Sequence, residues 1–250
     1  MTEVFVPVLR AVVIVLIAAA VLVGFVTAVR AEWPTGSTVP ETFHNLTHPA
    51  QISPMSGMIT NYGQVCVYCH APHGGGGERP LWNRRLPSGP YRMYEGPLDM
   101  IADAQPTGVS RLCLSCHDGT IGLDDVQVAP VTHSGPGPHR ETIERCTGCH
   151  NGGNPAGGLN WEHVWFRPDD MRKQHPISIT YDASRDAGFQ PASAVQAAGL
   201  VLENGKVQCA TCHEPHSERY RPFLRIPNTN RSLCLVCHRT QPSQSTAHFW

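Results

Sequence analysis

The sequence predicts a fold that is mostly irregular coil with short α-helices, and three observations carry that prediction. The 23 glycines and 22 prolines interrupt regular elements throughout the 250 residues, yet stay below the share that marks a disordered low-complexity chain. Aromatic residues make up 7% of the chain, few for a domain that must build its core from side chains alone. The third observation is a pentapeptide, Cys-x-x-Cys-His, that recurs five times and consumes all ten cysteines.

The copies are CVYCH with Cys66, Cys69 and His70, CLSCH with Cys113, Cys116 and His117, and CTGCH with Cys146, Cys149 and His150. They continue with CATCH at Cys209, Cys212 and His213, and CLVCH at Cys234, Cys237 and His238. Cys-x-x-Cys-His is the attachment site of c-type haem: the thiols add across the vinyl groups, and the adjacent histidine reaches the iron from one face. Five covalently bound c-type haems and their irons are therefore expected. Zinc sites use such pairs two at a time or complete one with distant histidines, so they do not explain a histidine directly after every pair. Disulfide scaffolds have no use for it either. Five flat apolar macrocycles supply the buried surface that the side chains lack. The expected architecture is thus a multihaem cytochrome c, with turns and short helices wrapped around a stacked haem chain.

A formal net charge of −1 gives no footprint for a nucleic-acid partner. Of 19 basic residues only Lys173 and Lys206 are lysines. Arginine forks suit haem propionates by bidentate pairing; a GC-rich coding sequence accounts for the same bias without any function.

Residues 11–29, AVVIVLIAAAVLVGFVTAV, are nineteen apolar positions between Arg10 and Arg30. As a helix they would be about 28 Å long, enough to cross a hydrocarbon core. Val29-Arg30-Ala31 before Glu32 also offers small residues to a signal peptidase. Residues 1–31 are accordingly expected to be either a cleaved signal peptide or a retained membrane anchor. Both place residues 32–250, the pentahaem domain, outside the cytoplasm, on the periplasmic side or at the cell exterior.

From Glu32 to Gln64 the chain is polar, proline-rich and without period, and it contains His44 and His48. It reads as an arm laid over the haem at the first motif, because a histidine upstream of that motif is a candidate second axial ligand. In CVYCHAPHGGGG, His73 follows His70 by three residues. Three residues span at most about 10 Å, too little to carry the backbone round a macrocycle to its far face. His73 is thus a candidate ligand for a neighbouring haem, or a partner of propionates or water, and CATCHEPH repeats the arrangement with His213 and His216. A Gly/Pro-rich stretch with His133 and His139 precedes the third motif, and His163 follows it. His175 precedes a short alternating, strand-like run, and ASAVQAAGL at 192–200 is expected to form a short helix.

The stretch 209–238, CATCHEPHSERYRPFLRIPNTNRSLCLVCH, resembles the doubled Cys-x-x-Cys-His unit of class III-like multihaem cytochromes c. HNL, CVYCHAPHG, PLWNR, RLCLSCHDGT and HPISITYD resemble the rest of that group in the same order, so the likeness covers most of 44–238. It implies haems ligated by two histidines and packed into an electron-conducting chain, with His44, His73, His175 and His216 as second axial ligands. Residues 129–166, with the third motif, look like an insertion into a four-haem pattern. The extra haem then needs one more ligand, with His139 the first candidate and His133 or His163 behind it. Fourteen histidines less five leave nine, enough to give every iron a second imidazole.

An iron held by two imidazoles has no vacant position, which favours electron transfer to redox protein partners or to neighbouring copies over catalysis. Met93, Met100 and Met171 are alternative sixth ligands. A membrane-anchored quinol dehydrogenase is the second reading, should residues 11–29 stay in the bilayer. A multihaem reductase is the third; it needs an open or unusually ligated iron, and no motif here ends in lysine. Self-association into an electron-conducting filament is expected from family members that polymerise and from the unassigned His48 and His248.

Overall fold

The structure is a computed structural model that describes residues 38–48, 59–74, 81–130 and 164–239, all within the unit Thr35–Trp250. The apolar run 11–29, the third motif with Cys146, Cys149 and His150, and His133, His139, His163 and His248 lie outside the described residues. So does most of the expected insertion 129–166.

Regular structure is sparse, as the glycine and proline content requires. The elements are α1 (Gly108–His117), β1 (Ile179–Thr180), α2 (Ala192–Ala197), β2 (Lys206–Val207), α3 (Cys209–Cys212) and α4 (Ser232–Cys237). Short 3-10 turns occupy Val39–Glu41, Val65–Tyr68, Met171–Lys173 and Thr229–Arg231. The strand-like run after His175 becomes β1, antiparallel to β2 with Ile179 opposite Val207 and Thr180 opposite Lys206. The helix expected at 192–200 is α2. It stops at Gly199, whose φ of +98° places it in the region glycine tolerates best, while the Leu200 amide returns to the Val195 carbonyl at 3.3 Å.

Among the described residues side chains build a few small buried clusters, one of them larger than the rest. Met100, Ile179, Tyr181, Val195, Leu200 and Leu202 are buried together, with Phe189, Val207, Leu233 and Val236 packed against them. This cluster joins the β-pair, α2 and α4, so it underlies the fifth motif. Met100, a candidate axial ligand by composition, is part of this packing.

Two of the helices that carry motifs are capped, α1 from a distance and α3 by its own capping box. The Val109 amide at the start of α1 donates to Glu203 Oε2 at 3.0 Å, so a carboxylate remote in sequence closes the helix N-terminus. In α3 the Gln208 amide donates to Thr211 Oγ1 at 2.9 Å, and the Gln208 side chain caps in return. The Ser110 hydroxyl donates to Gln208 Oε1 and accepts from the Cys209 amide at 3.0 Å. Helices α1 and α3, with the second and fourth motifs, are thereby locked together.

The first and fourth motifs are built alike. His70 bridges to Trp82, and His213 bridges to Leu224. The Asn83 and Arg225 amides donate to the carbonyls of Cys69 and Cys212, each at 2.9 Å. The same two residues reach deeper into the motifs with their side chains, Asn83 Nδ2 to the Val67 carbonyl and Arg225 Nε to the Ala210 carbonyl, each at 2.7 Å. Leu81 and Phe223 hold the corresponding corner with φ of +55° in both, a conformation that costs an L-residue about 1–2 kcal/mol. Two backbone corners so strained and so alike mark a structural repeat.

Candidate haem-binding sites

Each described Cys-x-x-Cys-His copy closes a single helical turn. The amides of His70, His213 and His238 donate to the carbonyls of Cys66, Cys209 and Cys234 at 2.8, 3.1 and 2.9 Å, and the second copy forms the last turn of α1. One turn puts residues three apart on the same face, so both thiols of a motif point the same way and the histidine follows at the edge. None of the eight described cysteines is in a disulfide.

The motifs lie against one another in a definite order. Burial, followed by the neighbouring Cys116, pushes the Cys69 thiol up to about 12. Cys113 and Cys209 are hydrogen-bonded to each other, which raises the first and lowers the second. Burial, then Cys237, pushes Cys212 up to about 12. The thiols of the first motif lie within electrostatic reach of the second, the second is hydrogen-bonded to the fourth, and the fourth lies within electrostatic reach of the fifth.

The histidines meet in pairs. The rings of His70 and His216 are stacked with centroids 6.1 Å apart and 23° between their planes. The rings of His44 and His117 are also 6.1 Å apart, at 65°. Burial and the neighbouring His117 hold His44 down at about 4, and burial lowers His117. His175 lies within electrostatic reach of His238, whose pKa is lowered chiefly by burial and next by that neighbour. His73 is exposed. The arm holding His44 corrects one expectation: its 3-10 turn packs on the turn of the first motif, but its imidazole reaches the second motif and stacks on Phe223 at 4.2 Å. The arm is long enough to pass over one motif and end at the next.

Backbone oxygens decide which nitrogen each ring presents. Nδ1 of His44, His117, His175 and His213 donates to the carbonyls of Pro215, Val164, Pro176 and Pro222 at 2.9, 2.7, 2.9 and 3.1 Å. Nδ1 of His216 donates to Glu214 Oε1 at 2.9 Å. A carbonyl or carboxylate oxygen only accepts, so the proton sits on Nδ1 and the lone pair of Nε2 is left to bind metal.

These residues fit haem. Two metal–nitrogen bonds of about 2 Å, with about 1.1 Å from each nitrogen to its ring centre, separate two imidazoles across a metal by about 6 Å. That is the spacing found at both ring pairs. Among the described residues no group of three or more His, Cys, Asp or Glu side chains converges as a metal cage. One buried donor beside the first motif, Trp82 Nε1, has no partner among the described residues, as expected where a carboxylate-bearing group belongs.

Residues 201–243 match the family model for the doubled CXXCH motif. The chain carries a doubled CXXCH motif. The match takes in CATCH and CLVCH, agrees with the resemblance to multihaem cytochromes c, and identifies covalently bound c-type haem, with its iron, as the cofactor of this segment. No curated protein matches the chain.

Beside the residues of the doubled CXXCH motif itself, several others that hold the sites carry little signal in the sequence. Asn83, Arg84 and Glu203 act on motifs distant from them in sequence. The only local trace is the likeness of PLWN after the first motif to PFLR after the fourth. Met93 and Met171 line a cavity together with His175.

Proposed function

We propose that the chain is an exported pentahaem c-type cytochrome that passes electrons through closely packed haems, each held by two histidines. The observation that carries this reading is the pairing of His216 with His70 and of His44 with His117 at 6.1 Å, each pair beside a Cys-x-x-Cys turn. Bound haem supplies reversible one-electron chemistry at iron. The cysteines would hold each macrocycle covalently, and the motif histidines together with His216, His44 and His175 would bind the irons of the first, second and fifth motifs. With both sides occupied by imidazole, water and small substrates are kept from the metal, which favours a carrier over an enzyme.

The repeat of the first and fourth motifs supports an assignment for His73. It stands three residues after His70 as His216 stands after His213. If His216 serves the first motif, the equivalent histidine of the first serves His213. His139 remains the proposed ligand opposite His150. Thiol contacts order the described motifs as first, second, fourth and fifth, a continuous route for electrons to a redox protein or an adjacent copy. Export is proposed from the apolar run 11–29.

The test counts haems and ligands in the exported protein. Denaturing mass spectrometry should find five haems retained, and electron paramagnetic resonance of the oxidised protein should contain only low-spin bis-histidine centres. A high-spin ferric centre at neutral pH would defeat the electron-carrier reading for that site.

A further inference from the structure

Arg84 is the largest fully buried side chain among the described residues, 1% exposed, and it lies between the first and second motifs. Its terminal nitrogens donate to three backbone carbonyls, those of Leu123 at 2.8 Å, Ser115 at 2.9 Å and Gly122 at 2.6 Å. Ser115 is inside the second motif, and the other two carbonyls belong to the loop that leaves it. Among the described residues no carboxylate is paired with Arg84. Asp124, buried in the same region, accepts from the Thr60 amide at 2.6 Å.

The fourth motif provides a contrast within the same chain. Arg225 also grips its motif, but its Nη1 donates to Glu214 Oε2 at 2.8 Å, so that cation is neutralised on the spot. At the position equivalent to Arg84 the repeat has Ile226.

We infer that Arg84 raises the reduction potential of the iron bound between His44 and His117, making it an electron-accepting step in the chain of centres. A fixed positive charge in a region shielded from water opposes the extra positive charge of ferric iron and favours ferrous. Three carbonyls hold the guanidinium in place, and arginine cannot shed its proton to escape burial. Its role is to position charge, not to bind substrate.

This inference rests on the bis-histidine reading above, so its test must separate the two. The full-length haem-loaded protein is titrated while its low-spin centres are followed by electron paramagnetic resonance. The signal lost in His44→Met marks the centre in question. In Arg84→Gln that signal should still be present, showing that the ligands remain, but its midpoint should fall. The oxidised-to-reduced ratio at the wild-type midpoint should rise on the order of tenfold. Arg84→Lys, which keeps the charge and loses the fork, should hold the midpoint near wild type.

An unchanged midpoint in Arg84→Gln, or equal falls in both variants, would overturn the inference. A missing bis-histidine signal in the wild type would instead overturn the ligand reading. Should Arg84→Gln not fold, the wild type decides: the signal lost in His44→Met must titrate at a higher midpoint than the one lost in His175→Met, and the reverse order sinks the inference.

Discussion

His216 faces His70 across 6.1 Å, although His216 follows the fourth motif and His70 ends the first. The Glu214 carboxylate accepts from His216 Nδ1 at 2.9 Å and is also held by Arg225. A loop of the fourth motif thus presents an oriented imidazole to the first. On the proposed ligation, the first motif takes its second imidazole from the segment that follows the fourth.

Replacing His216 with methionine leaves Cys209, Cys212 and His213 intact, so the fourth haem should still attach. One midpoint should move upward, since thioether ligation favours the ferrous state relative to imidazole. Combining His216→Met with Cys66→Ala and Cys69→Ala tests the partner: with the first haem gone, the upward shift should disappear. Persistence of the shift would assign His216 to another motif.

His44→Ala should open one iron and no more. The reduced wild type is expected to bind little carbon monoxide at neutral pH, whereas the variant should bind one equivalent. Resonance Raman of the complex should report a proximal imidazole, that of His117. Stoichiometric binding to the wild type would restore the reductase reading.

The proposed pairing of His73 with the fourth motif has its own signature. His73→Met should shift one midpoint upward, and prior removal of the fourth haem through Cys209→Ala and Cys212→Ala should abolish that shift. If His73→Met changes neither potentials nor the spectrum, His73 is a surface side chain and His213 takes its second ligand from elsewhere.

Stability should depend on Asp103, away from the haem sites. Its Oδ2 accepts from Lys206 Nζ at 2.5 Å and from Thr107 Oγ1 at 2.6 Å, and these bonds hold its carboxyl below the ordinary 3.8. A depressed folded pKa means stability that is fully present above 3.8 and lost as pH falls through the lower folded value. Asp103→Asn should cost about 1 kcal/mol at pH 7. Denaturant melts of the two proteins should converge as pH drops below 3.8; a constant gap would assign the cost to packing.

The sequence by itself determined the cofactor, the scarcity of regular structure and the supply of spare histidines. Those features are local: a helical turn of five residues carries both thiols and the first imidazole, and glycine and proline act where they stand. The positions of α2 and β1 were legible for the same reason. The β1–β2 pairing was not, because two-residue strands carry no periodic signal and form only where Val207 meets Ile179.

The tertiary structure alone decided who meets whom. His44 was expected over the first motif and instead lies against His117, because a proline-rich arm has no pattern to reveal its reach. Arg84 looks like any surface arginine in PLWNR, and only the convergence of the Ser115, Gly122 and Leu123 carbonyls buries it. Contacts between segments distant in the chain depend on the summed packing of everything between them, so residue type and spacing cannot name the partner. They supply the imidazoles, and packing decides which motif each one faces.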